Sequence, residues 1–296
     1  MEITASAVKE LRERTGAGMM DCKKALTTVS GDMEAAIDLL RTQGLAKVDK
    51  KASRVTAEGR VALAQVGDSA LLVELNCETD FVAKDDNFVA FSNAVAQAAA
   101  TAGAVDIDVI RELSLGSETV EAARAALVAK IGENVQVRRA FKVEGPVVGT
   151  YLHGSRIGVA IALDGGSVDL ARGIAMHIAA MNPAWKDLSE IPADVQQREK
   201  DIALEQMNAD PKDANKPLEI KEKIVAGKIR KNLSSQTLVG QEYASSDANG
   251  ATVEEVLKKA GATVLRFVRV VVGEGIEKKT EDFAAEVMAQ VAASST

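Results

Sequence analysis

RVALAQVGDSALLVELNCETDFV, residues 60–82, decides how this chain folds. Its apolar residues recur with a period of two, Gly67-Asp68 supplies a tight turn, and the return run from Ala70 to Leu75 is almost wholly apolar. Two such runs around a glycine-containing pair predict a β-hairpin, and a strand apolar on both faces belongs inside a core. Downstream, an alanine-rich helix is expected near 87–101, a second helix near 120–130, and a strand in NVQVRRAFKVEG, residues 134–145. The order then recurs. GTYLHGSRIGVAIALDGG (149–166) reads as strand, turn and strand, VDLARGIAMHIAAM (168–181) as a helix, and TVLRFVRVVVGEG (263–275) as a closing strand. The two closing strands share an alternation of Val, Arg and Phe before a glycine turn, so we read two copies of one hairpin, helix and strand unit.

Outside this core, residues 1–54 read as three short helices. Val8 and Leu11 lie one turn apart, MDCKKAL follows Gly16 and Gly18, and GDMEAAIDLL carries Asp32 as a cap. The basic run AKVDKKASR (46–54) reads as a linker. Between the second copy's helix and its closing strand, a charged stretch broken by DPKDANKP predicts a helical hairpin. Val195, Ile202 and Met207 would face Ile220, Ile224 and Ile229, a thin stripe suited to a projection. Phe283, Val287 and Val291 recur every fourth residue and predict a C-terminal amphipathic helix. The expected fold class is α+β. It comprises a three-helix partner-binding module (1–54), a first core half (55–145), a second (146–181, continued at 234–272), the inserted hairpin (182–233) and a C-terminal helical module (273–296).

Composition narrows the function. Forty-three acidic against 36 basic side chains give a formal net charge of -7, which argues against a nucleic-acid partner. The charged N-terminus is unlike a secretory signal, no apolar run reaches the length of a membrane span, and Cys22 and Cys77 stand far apart; a cytoplasmic protein with two buried thiols is expected. His177, among apolar helix neighbours, reads as a satisfied core histidine, and His153 as a surface contact residue in a turn. Neither belongs to a nucleophile arrangement, and GEGIEKKT (273–280) lacks the spacing of a phosphate loop. No enzyme activity, cofactor, metal or direct nucleotide binding is expected.

Two segments stand out. LRERTGAGMMDCKKAL (11–26) sets paired methionines beside two glycines, and these suit either an adaptable contact surface or the filling of a small core. ELNCETDFVAKD (74–85) leaves a buried strand for a loop with an acid beside an aromatic. Phe81 there suits either a contact or a cap on the core, and Asp80 either a contact or a helix start.

Both segments resemble, without gaps, the two signatures of the bacterial elongation factor Ts family, the guanine-nucleotide exchange factors of the translational GTPase elongation factor Tu. KIGEN (130–134), HGSRIGV (153–159), AMHIAA (175–180) and VGEGIEKKTEDFAAEV (272–287) extend the resemblance over most of the chain. It implies a ubiquitin-associated-like N-terminus, a duplicated core and a protruding hairpin. It also implies that Asp80 and Phe81, flanked by Thr79 and Val82, push between helices of the partner near its Mg²⁺ and phosphate site. Arg12, Met19, Met20 and Lys23 would sit on the nucleotide-binding domain, and His153 would face another domain. Gly240-Gln241-Glu242-Tyr243-Ala244-Ser245-Ser246 departs from the family pattern, so no partner contact is carried there. A homodimer through the hairpin stays open. The competing class is an adaptor that binds other chains through residues 1–54 alone.

Overall fold

A computed structural model of the chain describes residues 3–210, 216–245 and 248–277. Three helices lead, α1 (Ala5–Thr15), α2 (Met19–Thr28) and α3 (Met33–Lys51). They close on Val8, Leu11, Cys22, Ala25, Leu26 and Ala36. Thr4 caps the first through Ala7 N, and Asp32 caps the third by accepting from Ala35 N at 3.0 Å. The third helix is longer than expected. The run AKVDKK, read as linker, is helical, because it holds neither proline nor glycine and its Ala and Lys residues favour helix.

The core follows as β1 (Glu58–Val66), β2 (Ser69–Cys77), α4 (Asp80–Ala83), α5 (Asp86–Ala102), α6 (Ile107–Glu112), β3 (Ser114–Leu115), β4 (Glu118–Thr119), α7 (Val120–Ile131) and β5 (Val135–Glu144). The second half comprises β6 (Val147–His153), β7 (Ile157–Asp164), α8 (Val168–Met181), α9 (Ala193–Ala209), α10 (Leu218–Ser234), α11 (Val253–Lys259) and β8 (Thr263–Val271). Both large sheets are antiparallel with equivalent order, β1-β2-β5 and β6-β7-β8. The duplication expected from the closing strands is therefore present in the topology.

The sheets stack face to face between helices. Leu71, Val73, Leu75 and Cys77 of β2 turn towards α5 and α7, whereas Ala70 and Leu72 turn towards the second sheet. Likewise Val159, Ile161 and Leu163 of β7 meet α8, while Ala160 and Ala162 meet the first sheet. Both central strands are thus buried on both faces, which is why they read as continuous apolar runs. A Cβ on Gly158 would lie 2.5 Å from Val61 Cγ1, so glycine is required there for the sheets to close.

One charge lies at this seam. Glu74 is fully buried; Arg139 Nε donates to its Oε2 (2.5 Å), while Arg138 Nη1 (3.0 Å), Asn76 Nδ2 (3.0 Å) and Gly273 N (2.8 Å) donate to its Oε1. A bulge between the Glu74–Arg139 and Leu75–Val137 pairs leaves Arg138 as the extra residue, so adjacent arginines reach one carboxylate. Arg139 Nη2 also donates to Val271 O (3.0 Å) and Arg138 Nη2 to Glu274 O (2.6 Å), tying β5 to the end of β8.

The hairpin differs in detail. Its arms, α9 and α10, bury Met207, Val225 and Leu233, whereas Ile202 and Ile220, expected to pair, are exposed. Lys221 spans the arms instead, its amine 2.7 Å from Asn208 Oδ1. The stretch between α5 and α7 forms α6 and a hairpin of two-residue strands, because Asp106 caps the helix and Ile110 buries completely. The C-terminal stripe Phe283, Val287 and Val291 lies outside the described residues.

Removing the central carboxylate takes an acceptor from four donors at the seam, the guanidinium groups of Arg138 and Arg139, the Asn76 side-chain amide and the Gly273 backbone amide. Glu74→Ala should destabilise by about 3 kcal/mol, read as a lower urea midpoint. Burial opposes ionisation of Glu74, but the Gly273 amide and Arg139 outweigh it and hold its pKa below the ordinary glutamate value. Its contribution should therefore be complete above the ordinary glutamate range and be lost as pH falls through the lowered pKa, so the wild-type and Glu74→Gln urea midpoints should converge in acid.

Candidate functional site

Where β2 ends, the chain makes a single helical turn before the long helix α5. Thr79 caps it by accepting from Val82 N at 3.3 Å, and Asp85 caps α5 by accepting from the amides of Asn87 (2.9 Å) and Phe88 (3.3 Å). Asp80 and Phe81 thus start a short helix, α4, where a loop was expected, and the cap is Thr79 rather than Asp80. Val82 and Ala83 are buried with Phe88 and Val95 in the first core half. Phe81, opposite, is 81% exposed, which removes the core-capping reading.

The four residues of this turn therefore divide. Asp80 and Phe81 face solvent, whereas Val82 sits in the core and Thr79 is half-buried, so these two anchor the turn. Val82, named above beside the wedge pair, is thus buried in the core of this chain. Glu133 fixes the entrance to the turn: its Oε2 accepts from Glu78 N (3.2 Å) and Thr79 N (3.0 Å), and its Oε1 from Thr79 Oγ1 (2.7 Å). Lys84 Nζ lies 2.7 Å from Asp80 Oδ2, one helical turn away. This hydrogen bond to Lys84 lowers the Asp80 pKa, so the carboxylate is ionised at neutral pH.

Met19 and Met20 begin α2 directly after Gly18. They are 57% and 75% exposed, so they are not core fillers; that role falls to Cys22, Ala25 and Leu26. Arg12 and Lys23 are exposed on α1 and α2. One side chain links the α1–α2 loop to the start of α5. The stem of Lys130 lies 3.4 Å from where a Cβ on Gly16 would stand, and its amine donates to Asn87 Oδ1 at 2.7 Å. Gly16, at φ +67°, is a left-handed helix terminator whose amide donates to Arg12 O (2.7 Å).

His153 ends β6 rather than occupying the turn, and its Nδ1 lies 3.2 Å from Tyr151 Oη. The turn after it is tied to the first sheet by Val61 N donating to Ser155 O (2.8 Å) and by Arg156 to Glu58 (2.6 Å). Glu58 pairs with Cys77 across the hairpin, so His153 lies at the same end of the sheets as Thr79. Sequence reading did not single out Glu133, Lys130 and Lys84, which hold the turn. The available signals were the KIGEN motif and a lysine four residues after Asp80.

The remaining reactive groups are sequestered. His177 is buried, with Nδ1 accepting from Ala244 N (3.1 Å) and Nε2 against Gln241 Oε1 (3.0 Å), and burial lowers its pKa, as a satisfied core histidine requires. Gln241 and Tyr243, from the segment that departs from the family pattern, are therefore packing residues around it. Burial raises the Cys77 thiol to about 12. No cluster of three or more metal-ligating side chains occurs among the described residues, and none of their helices is long and apolar enough to cross a membrane. What the exposed end of the first sheet offers is contact, through a protruding phenyl ring and an ionised carboxylate, and α2 separately exposes two methionines.

Comparison with known proteins agrees with this arrangement. A family model described as Elongation factor TS matches residues 78–274, beginning one residue before the cap of α4. The chain is 56% identical to elongation factor Ts of Xanthomonas oryzae pv. oryzae over 292 residues, covering 98% of this chain and 99% of that protein. It is equally similar to the Xanthomonas campestris protein, and 55% identical over 293 residues to that of Xylella fastidiosa. The chain belongs to the elongation factor Ts family of translation elongation factors.

Proposed function

We propose that this protein is the guanine-nucleotide exchange factor of elongation factor Tu, and that it promotes GDP release by driving Asp80 and Phe81 against the elements that hold the Mg²⁺ and phosphates. The observation that carries this reading is an 81% exposed phenylalanine on a helical turn fixed at its entrance by Glu133 and on its inner face by burial of Val82 and Ala83. An exposed aromatic on a rigid mount inserts into a partner with little ordering cost, and aromatic anchors dominate interface energetics. Asp80, ionised beside Phe81, supplies a polar contact to the same partner surface.

The thermodynamics follow from linkage. A factor that binds the nucleotide-free GTPase more tightly than the nucleotide-bound form lowers nucleotide affinity by the same ratio. Loosening a nucleotide held at nanomolar affinity, about 12 kcal/mol in total, calls for several kcal/mol of differential binding. One ring does not supply that, so the reading requires further contacts. Met19 and Met20 with Arg12 and Lys23 would grip the nucleotide-binding domain, and His153 another domain. The bound metal screens the phosphates, and its displacement weakens their hold.

Release of a fluorescent GDP analogue from elongation factor Tu at fixed Mg²⁺ tests the reading. Wild-type protein should accelerate release, and Phe81→Ala should lose about tenfold or more of that acceleration, in line with loss of an aromatic anchor. Equal acceleration by wild type and Phe81→Ala would remove the wedge, and no acceleration by wild type would remove the exchange function. Met19→Ala/Met20→Ala, distant from the wedge, should instead raise the half-saturating concentration about fivefold and leave the rate at saturation little changed.

A further inference from the structure

We propose that the segment from Lys130 to Asn134, at the end of α7, is the positioning element of the wedge, with Glu133 its principal residue. Three separate parts of the chain converge on these five residues. Glu133 accepts from both amides at the entrance to the α4 turn and from the Thr79 hydroxyl. The exchange is reciprocal, because the Glu78 carboxylate accepts from Asn134 N at 2.6 Å. Lys130 ties down the start of α5, just beyond that turn, through Asn87, while its stem lies along Gly16 of the N-terminal helices. Asn134, buried, donates to Arg54 O (3.0 Å) and Ala52 O (3.4 Å), which fixes the stretch joining those helices to the core.

Gly132 makes this convergence possible. It ends α7 at φ +89°, and the chain reverses so that Glu133 points to the turn while Asn134 enters the sheet ahead of β5. A four-residue helix is too short to hold itself in water, so the geometry of α4 depends on what grips its ends. Glu133 grips the entrance to α4 directly, and Lys130, at the end of α7, holds the first turn of α5 that follows it. The same terminus contacts the module that bears Met19 and Met20, so the spacing between grip and wedge is set there.

The inference rests on the exchange reading, and the same assay separates the two, since wild-type acceleration establishes the reading before any variant is compared. Glu133→Ala should lower the rate of GDP release at saturating factor about tenfold, because the wedge is misplaced in the bound complex. Its half-saturating concentration should change less than about threefold, because the gripping residues are untouched. A role in folding alone would do the reverse, raising the half-saturating concentration at an unchanged maximal rate, and would overturn the proposal. The double variant Glu133→Ala/Phe81→Ala should be no slower than Phe81→Ala; multiplying effects would also overturn it. Should Glu133→Ala fold poorly, Thr79→Val and Lys130→Met keep the test open, each expected to lower the maximal rate. Hydrogen exchange of the Glu78 and Thr79 amides should accelerate in Glu133→Ala while the β1–β2 ladder stays protected; unchanged protection at residues 78 and 79 would count against the clamp.

Discussion

The buried carboxylate of Glu74 is the constraint on which the rest of the architecture turns. A full charge between two stacked sheets is tolerated only when neighbours satisfy it, and here its neighbours come from both sheets. Arg138 and Arg139 belong to the first sheet and the Gly273 amide to the end of the second. The apolar seam of Val61, Leu72, Val148 and Val270 sets how closely the sheets approach, but apolar contact has no direction. Glu74 supplies direction: the stack satisfies the charge only in the register that brings Gly273 to it.

The duplication explains how such an arrangement is built from two copies of one unit. Both closing strands carry a bulge at the equivalent place, beside the Glu74–Arg139 pair in one sheet and the Ala162–Arg266 pair in the other. Where the first copy has a carboxylate the second has alanine, which leaves room at the seam and avoids a second buried charge. The copies are alike in backbone and complementary in chemistry. The first copy provides the acceptor, and the second provides a turn after β8 with an amide that points at it.

Much of this was legible because the central strands are buried on both faces, and a short apolar run such as Ala70 to Val73, bounded by a turn, is the pattern that such burial demands. Elements whose identity rests on a cap were less visible. The α11 helix is announced only by the capping box of Thr252 and Glu255, and α4 only by Thr79 before Asp80. The hairpin stripe was misassigned because every arm offers more isoleucines than it buries, and Lys221 with Asn208 takes a place that periodicity alone reserves for apolar residues. Asp80, Phe81, Met19 and Met20 were singled out through their motifs, whereas Glu133 acts on residues more than fifty positions earlier. No local pattern encodes a contact of that range.

The wedge itself illustrates why order must be imported. A helix of four residues makes too few hydrogen bonds to offset the entropy of fixing its backbone. Its conformation is therefore supplied by burial of Val82 and Ala83 on one side and by Glu133 and Asp85 at its ends. An aromatic ring left exposed on a mobile loop would lose much of its binding energy to ordering on contact with a partner. Mounted on this turn, Phe81 has already lost that freedom when the chain folds. Under the exchange function proposed above, the energy of inserting the ring can then act on the partner's conformation instead of on its own, which is the condition for a binding protein to drive a structural change elsewhere.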